Sequence, residues 1–195
     1  MPSLQNLVAA EHQTWDDPVV EKAIFGFSDP ELVANAFSSY CANVLGSPIA
    51  NAFFYRVSVA CVAGVHLADG RQAVIKAQNG GRRADYLAAC IDYRKQLAQT
   101  GFPCPTPLAP PEKLNGAWFT SEELLTRGSP ADAHDLPIRR SIVSALAQLE
   151  TFSTHFPTPN ALAERGLQVC PRTAFFPSLT PLFSTLKPQP KALNG

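Results

Sequence analysis

The chain has 195 residues, of which 46% are hydrophobic and 16% are charged, and its 16 basic residues balance its 16 acidic ones. This length allows one good hydrophobic core or about one and a half domains, and the lack of a basic block argues against nucleic acid as a partner. The sequence has no run of 18 apolar residues and no basic stretch before an apolar core, so we expect no membrane span, no membrane partner and no secretory signal.

The first element that the pattern predicts is a helix over residues 27–46. Ser28 and Glu31 have the spacing of a capping box, Pro30 suits the first turn, and Gly46 can end the helix. Its apolar residues fall on one face, which we expect to be buried: Val33, Phe37, Tyr40 and Val44.

Strands follow the first helix. Residues 51–67 are rich in β-branched and aromatic side chains, and they predict two strands with a break near residues 61–64 or earlier. Asp69-Gly70 is a strong two-residue turn signal, so a hairpin should lead into a strand that ends at Lys76. A lysine at the end of a buried strand is either a solvated strand end or a cation aimed at a phosphate.

A second helix is predicted over residues 82–100, after an Asn-Gly-Gly turn and before Gly101. Its apolar stripe contains Leu87, Ile91 and Ala98. The next stretch, residues 102–114, has five prolines in thirteen residues and should be an extended connection.

The last predicted elements are a short strand within residues 116–125 and a helix over 137–155, capped by Asp132 or Asp135. Because the strands are joined by hairpins and one helix is inserted among them, the layout is α+β rather than alternating α/β. Residues 50–121 should therefore form an antiparallel sheet, with the helix at 82–100 packed on one face.

These segments carry a resemblance. "DGRQAVIKAQ", a helix, "QLAQTGFPCPTPLAP" and "GAWFTSEELLTRG" occur in an order that resembles the amino-terminal lobe of the aminoglycoside phosphotransferase family, which has the protein-kinase-like fold. The resemblance covers about residues 50–150. It implies a kinase-like small lobe, and it implies ATP and Mg²⁺ as cofactors for phosphorylating a hydroxyl of a small molecule.

The resemblance also implies roles for particular residues. Lys76 matches the lysine that binds the α- and β-phosphates of ATP. The segment Glu122, Glu123, Leu124 and Leu125 matches the hinge, where backbone groups pair with adenine; the alternative is a plain strand-to-helix loop. If Lys76 pointed toward an outer edge of the sheet, away from this segment, the nucleotide interpretation would fail.

The sequence departs from the kinase pattern in its small lobe. The helix at 82–100 has no glutamate to pair with the lysine, and its two acids, Asp85 and Asp92, are better placed for solvent. No glycine-rich loop precedes the lysine strand.

The sequence also lacks the catalytic machinery of a kinase. Asp135 is the last aspartate, Glu150 and Glu164 are the only later acids, and His134 beside Asp135 looks like the start of a helix. We therefore assign no catalytic residue and no metal ligand, and we expect Mg²⁺ only where a second lobe is present.

Five singly placed cysteines predict reduced thiols in a cytoplasmic protein: Cys41, Cys61, Cys90, Cys104 and Cys170. The predicted organisation is a small lobe with a leading helix over 1–121, a hinge and helix over 122–156, and an irregular Pro-rich tail over 157–195. We expect the catalytic lobe to be missing, through truncation, a frameshift or deliberate shortening, unless the small lobe serves another purpose.

Two classes of function remain open. The first is an ATP-dependent small-molecule phosphotransferase, truncated and inactive as it stands, whose full-length relatives take a hydroxyl acceptor. The second is a non-catalytic module for binding nucleotide or protein, which could self-associate through the apolar anchors of the tail: Phe175, Phe176 and Phe183. An unrelated α+β domain is the third, weaker alternative.

Overall fold

The computed structural model describes residues 2–14, 17–126 and 128–155, and over these residues the fold is α+β. The helices are α1 (Leu4–His12), α2 (Val19–Phe25), α3 (Pro30–Val44), α4 (Ala84–Gln99) and α5 (Leu136–His155). The strands are β1 (Ile49–Val57), β2 (Cys61–Leu67), β3 (Gln72–Gln78), β4 (Glu112–Leu114) and β5 (Ala117–Glu123). They form one antiparallel sheet in the order β1-β2-β3-β5-β4, which confirms the predicted fold class.

The hydrophobic core lies on one face of this sheet, beneath the three amino-terminal helices. Phe37 of α3 is fully buried and lies at its centre, with ring centroids 6.0 Å from Tyr55 of β1 and 5.6 Å from Phe119 of β5. The alternation of side chains between the two faces is clearest in β3, where Ala73, Ile75 and Ala77 are fully buried on this face. The residues between them point to the opposite face, which is more open.

Two buried carboxylates hold the amino-terminal helices on the edge strand β1. Glu21 of α2 is 1% exposed; Tyr55 Oη donates to it at 3.3 Å, and His12 Nε2 lies 3.1 Å away. Glu11 of α1 accepts a hydrogen bond from the backbone N–H of Val57 at 3.3 Å. Because β1 is the outer strand, these contacts satisfy groups at an edge that would otherwise be open.

The helix predicted at 27–46 is α3, and its predicted apolar face is buried at three positions and half-buried at Val44. The predicted cap was wrong. Asp29, not Ser28, is the N-cap, and its carboxylate accepts from the N–H groups of Glu31 and Leu32, both at 3.0 Å. Asp29 directly precedes the first helical residue, so its short side chain reaches these donors and Ser28 lies one residue too far away.

The strand predictions hold with shifted boundaries. The break in the long apolar stretch falls at residues 58–60, and the lysine strand continues two residues past Lys76. The hairpin at Asp69-Gly70 is confirmed, with Gly70 at φ 90° and Asp69 Oδ1 accepting from Arg71 N at 3.0 Å. A β-turn residue with positive φ is well served by glycine, which explains why this signal was reliable.

Three elements were not predicted: α1, α2 and β4. The strongest overlooked signal was Asn115-Gly116, whose residues have φ values of 48° and 86° and form the turn between β4 and β5. Ser3 was a second signal, because its hydroxyl accepts from Asn6 N and caps α1.

The helix predicted at 82–100 is α4, with Leu87 and Ile91 buried as expected, at 4% and 2% exposure. Ala98 is half-buried, and Leu97 beside it is the more buried residue. The approach to α4 is fixed at Gly80, where an added Cβ would lie 1.7 Å from the Gly116 carbonyl oxygen. Only glycine allows the two backbones to come this close, which anchors the loop before α4 to the β4–β5 turn.

Helix α5 spans nearly the range predicted for it, and the Asp135 carbonyl accepts a hydrogen bond from Arg139 N at 3.0 Å. The four cysteines within the described residues are free thiols. No helix among the described residues is long and apolar enough to cross a membrane. The tail and its three phenylalanines, Phe175, Phe176 and Phe183, lie outside the described residues.

Phe37→Ala should destabilise the fold by about 3–5 kcal/mol, because it removes a large, fully buried ring that contacts three other aromatic rings. Leu32→Ala is the matched control, since Leu32 lies on the same helix and is 49% exposed. The free energy of unfolding from urea titration measures both. Equal losses for the two variants would show that the core is not centred on Phe37.

Burial raises the pKa of the Cys41 and Cys61 thiols to about 12. In the unfolded chain thiols ionise near pH 8.5, so the folded state loses stability as the pH rises from about 9 toward 12, by up to about 1.4 kcal/mol per thiol and pH unit. We expect the urea midpoint to fall between pH 8.5 and 10. We expect a weaker fall in a Cys41→Ala/Cys61→Ala variant, and an identical slope in that variant would contradict the assignment.

Candidate functional site on the open face of the sheet

Lys76 lies in the interior of the sheet rather than at its edge. Strand β3 is flanked by β2 and β5, and Lys76 is in register with Val62 on one side and Thr120 on the other. Its neighbours Ile75 and Ala77 face the core, so Lys76 points to the open face. The strand therefore presents a tethered cation on the face opposite the core.

The ammonium group of Lys76 is held by a carboxylate on the adjacent strand. Lys76 Nζ donates to Glu122 Oε1 at 2.6 Å. Thr120 is the cross-strand partner of Lys76, and Glu122 lies two residues beyond Thr120 on β5. The side chains of Lys76 and Glu122 therefore lie on the same face of the sheet. The requirement that Lys76 point toward residues 122–125 is thus met, while phosphate binding by Lys76 stays a prediction.

A second cation reaches the same carboxylate from α4. Arg94 Nη1 donates to Glu122 Oε2, so the two oxygens of Glu122 each accept from a different positive group. The Glu122 side chain is only 8% exposed, whereas those of Lys76 and Arg94 are 34% and 27% exposed. The three groups together carry one net positive charge, and it is the cations that face solvent.

This arrangement explains how a carboxylate is tolerated beneath a helix. A buried anion is costly unless opposite charges and hydrogen bonds replace its water, and here two charged donors do so. The same contact joins three elements, because Lys76 belongs to β3, Glu122 to β5 and Arg94 to α4.

Sequence reasoning missed Arg94, although a signal was present. Arg94 follows Ile91 by three residues and Leu87 by seven, so it falls within the apolar stripe of α4. A charged residue in a buried stripe indicates a buried partner of opposite charge. The expectation for Asp85 is confirmed: it is exposed and pairs with Arg83, which lowers its pKa to about 2, while Asp92 is also exposed.

The four residues predicted as a hinge divide into two pairs. Glu122 and Glu123 belong to β5, and the backbone N–H of Glu123 donates to the Thr106 carbonyl at 2.9 Å. Leu124 and Leu125 follow the strand, and Leu125 is 54% exposed. The backbone N–H of Leu124 also donates, to the Gln72 carbonyl at 3.4 Å, so the pairing of this segment with the sheet extends one residue past β5. Adenine recognition by this segment stays a prediction.

Apolar surface adjoins the two cations. Val62 and Val74 are half-buried neighbours of Lys76 on the same face, and the rings of Phe53 and Phe54 lie against Gly64 on β2. An added Cβ at Gly64 would lie 2.3 Å from Phe54 Cε1. The open face therefore combines charged and apolar surface within a few residues.

A separate groove of about 550 Å³ lies between the end of α4 and α5. Its lining has no titratable side chain and consists of Leu97, Thr100, Phe102, Ser144, Ala147, Gln148, Thr151 and Phe152. It offers apolar contact but no acid, base or charge, so the cluster at Lys76 is the better candidate for a ligand site.

The described residues hold no group of three or more His, Cys, Asp or Glu side chains that could bind a metal ion. His134 and Asp132 contact each other before α5, with Asp132 Oδ1 2.8 Å from both the backbone nitrogen and Nδ1 of His134. These hydrogen bonds lower the pKa of the exposed Asp132 carboxyl. This local turn agrees with the helix-start role expected for these residues.

No protein-family model and no curated protein matches the chain. Among the solved structures that match, one is described as a "putative fructosamine-3-kinase" from Thermobifida fusca YX-ER1, with a TM-score of 0.37 and 18% sequence identity. The match covers 50% of this chain and 33% of that one, so the chain spans about a third of the length of that protein. At this level of similarity the match assigns no activity to the chain.

Glu122→Gln should lower the free energy of unfolding by about 1–3 kcal/mol, because it leaves two cations side by side without their shared anion. This loss of free energy is smaller than the loss expected for a fully buried ion pair, because Lys76 and Arg94 are both partly exposed to solvent. Glu123→Gln is the control, at an exposed neighbouring position. Thermal or urea unfolding of both variants measures the difference, and a loss no larger than that of the control would contradict it.

Proposed function

We propose that the chain is a kinase-like small lobe that binds the phosphates of a nucleotide such as ATP through Lys76. The observation that supports this most directly is the placement of Lys76. It projects from the third strand of an antiparallel sheet, beside the helix that follows that strand, and a carboxylate holds it in place. Kinase small lobes present their phosphate-binding lysine from the corresponding strand, also paired with a carboxylate.

The carboxylate comes from a different element in this chain. In protein kinases the glutamate lies on the helix after the lysine strand, whereas here Glu122 lies on β5 and the helix supplies Arg94. The replacement keeps a carboxylate beside the lysine and fixes the direction of its ammonium group, which a phosphate contact requires. It also explains why α4 needs no glutamate.

A nucleotide fits the open face better than a bare phosphate does. The half-buried valines beside Lys76 offer apolar surface for a base, and the exposed Leu125, which follows the last hydrogen bond to β3, offers backbone groups to its edge. A ligand with a charged tail and a flat, partly apolar head uses both features.

Phosphate transfer is a separate matter, and we propose that the chain by itself does not perform it. Transfer in this fold needs an aspartate base and metal-binding Asp or Asn residues, which in kinases come from the second lobe. Asp135 is the last aspartate of the sequence and belongs to the turn before α5. Any role for Mg²⁺ and for a hydroxyl acceptor would depend on residues beyond this lobe.

A second candidate, a protein-interaction module, is favoured by the surface of α5. This helix exposes several large apolar side chains, between 38% and 51% of each: Leu136, Ile142, Val143 and Leu146. Exposed apolar residues along one helix are common at protein interfaces. Light scattering tests this candidate, which requires concentration-dependent association that Ile142→Ser/Leu146→Ser weakens.

Lys76→Ala should weaken ATP binding roughly tenfold or more, because it removes a charged donor to phosphate. Calorimetry or a nuclear magnetic resonance titration of wild type and variant measures the change. Lys95→Ala is the control, since it removes one positive charge from α4, whereas the recorded ion pairs of Glu122 are with Lys76 and Arg94. ATP binding that Lys76→Ala leaves unchanged would contradict the proposal.

We expect the wild type to bind ATP weakly and to transfer no phosphate to a panel of amino sugars and alcohols. Measurable turnover would show that the chain holds a catalytic base that we have not identified.

A further inference from the structure

The position of Arg94 carries an inference that rests on the proposed function and extends it. Arg94 shares Glu122 with Lys76, so the two cations lie on neighbouring oxygens of one carboxylate. They come from opposite sides, one from the sheet and one from α4. A ligand that reaches the Lys76 ammonium group also comes within reach of the Arg94 guanidinium group.

Both cations have donors left over. A lysine ammonium group has three N–H donors and an arginine guanidinium group has five. Within the described part of the chain, Glu122 is the recorded side-chain partner of each, and it engages one nitrogen of each. The remaining donors lie on side chains that are 34% and 27% exposed, while the carboxylate is 8% exposed. The anion is therefore shielded and the cations are available.

We propose that Arg94 is a second phosphate-binding residue of this site, which is built for a chain of two or more phosphoryl groups rather than one. The planar guanidinium fork suits a phosphate in a bidentate geometry, and the ammonium group can bind the next phosphate as a point charge. Glu122 is a positioning residue. It fixes the spacing of the two cations and offsets their mutual repulsion when the site is empty.

A purely structural role for Arg94 makes a different prediction. If the guanidinium group only ties α4 to β5, its removal lowers stability and affects every phosphate ligand alike. If it binds a second phosphoryl group, its removal weakens a polyphosphate much more than a single phosphate. The ratio of the two affinities therefore separates the two roles.

The experiment is a titration of the ¹⁵N-labelled chain with inorganic tripolyphosphate and, separately, with orthophosphate. Nuclear magnetic resonance follows the backbone amides and the Arg94 Nε–H signal, which suits weak binding and also shows whether each variant is folded. The proteins are the wild type, Arg94→Gln, Arg94→Lys and Lys76→Ala. Lys95→Gln is the matched control, because it removes one charge from the adjacent position of the same helix.

We expect the wild type to prefer tripolyphosphate, and Arg94→Gln to lose roughly tenfold in tripolyphosphate affinity with a much smaller loss for orthophosphate. Lys95→Gln should change both affinities little and equally. Arg94→Lys should recover part of the preference because it restores the charge, and it supplies the answer if Arg94→Gln does not fold.

Three outcomes would overturn the inference and can be told apart. If Arg94→Gln matches Lys95→Gln while Lys76→Ala loses binding, Arg94 is only a structural tie and the proposed function stands. If Lys76→Ala binds both ligands as the wild type does, the proposed function fails, and with it the shared site. If the wild-type spectrum responds to neither ligand, there is no phosphate site on this face.

Discussion

The carboxylate of Glu122 is the contact on which the open face of this protein depends. It joins the lysine strand, the last long strand and the helix between them through two charged hydrogen bonds. Without it, a lysine and an arginine would lie side by side on a partly buried surface, and α4 would lose its ion pair with β5. The same contact that stabilises the packing of α4 therefore also sets the charge of the candidate site.

Buried carboxylates are used in a similar way on the other side of the molecule. Glu11 and Glu21 hold the amino-terminal helices on β1, as Glu122 holds α4 on β3 and β5. In each case the acid is at most 8% exposed and hydrogen-bond donors replace its water. Helices thus contact both faces of the sheet: the aromatic core lies on one face, and the Glu122 ion pairs attach α4 to the other, more open face.

The carboxylate that pairs with Lys76 lies on a strand, whereas in protein kinases it lies on a helix. This difference determines whether the ion pair depends on the position of the helix. In a protein kinase the lysine–glutamate pair forms only when the helix is in place, which makes helix position a control point. Here Lys76 and Glu122 lie on adjacent strands of one sheet, so their contact does not depend on α4. Only the Arg94 contact depends on it, so the second phosphate contact that we propose for Arg94 requires α4 to be docked.

The sequence by itself determined α3 and, apart from β4, the strands and helices that follow it, together with the Asp69-Gly70 hairpin and the burial of Leu87 and Ile91. These features follow from local turn chemistry and from the periodicity of apolar residues. Neither depends on which distant parts of the chain come into contact. It also placed Lys76 on a strand and showed that α4 contains no glutamate. Only the tertiary structure decided which carboxylate pairs with Lys76. Glu122 is 46 residues from Lys76 and 28 from Arg94. Their contact is set by the pairing of β3 with β5 and by the position of α4. A charged residue in the apolar stripe of a helix indicates that some partner exists, but the local sequence does not specify which distant carboxylate it is.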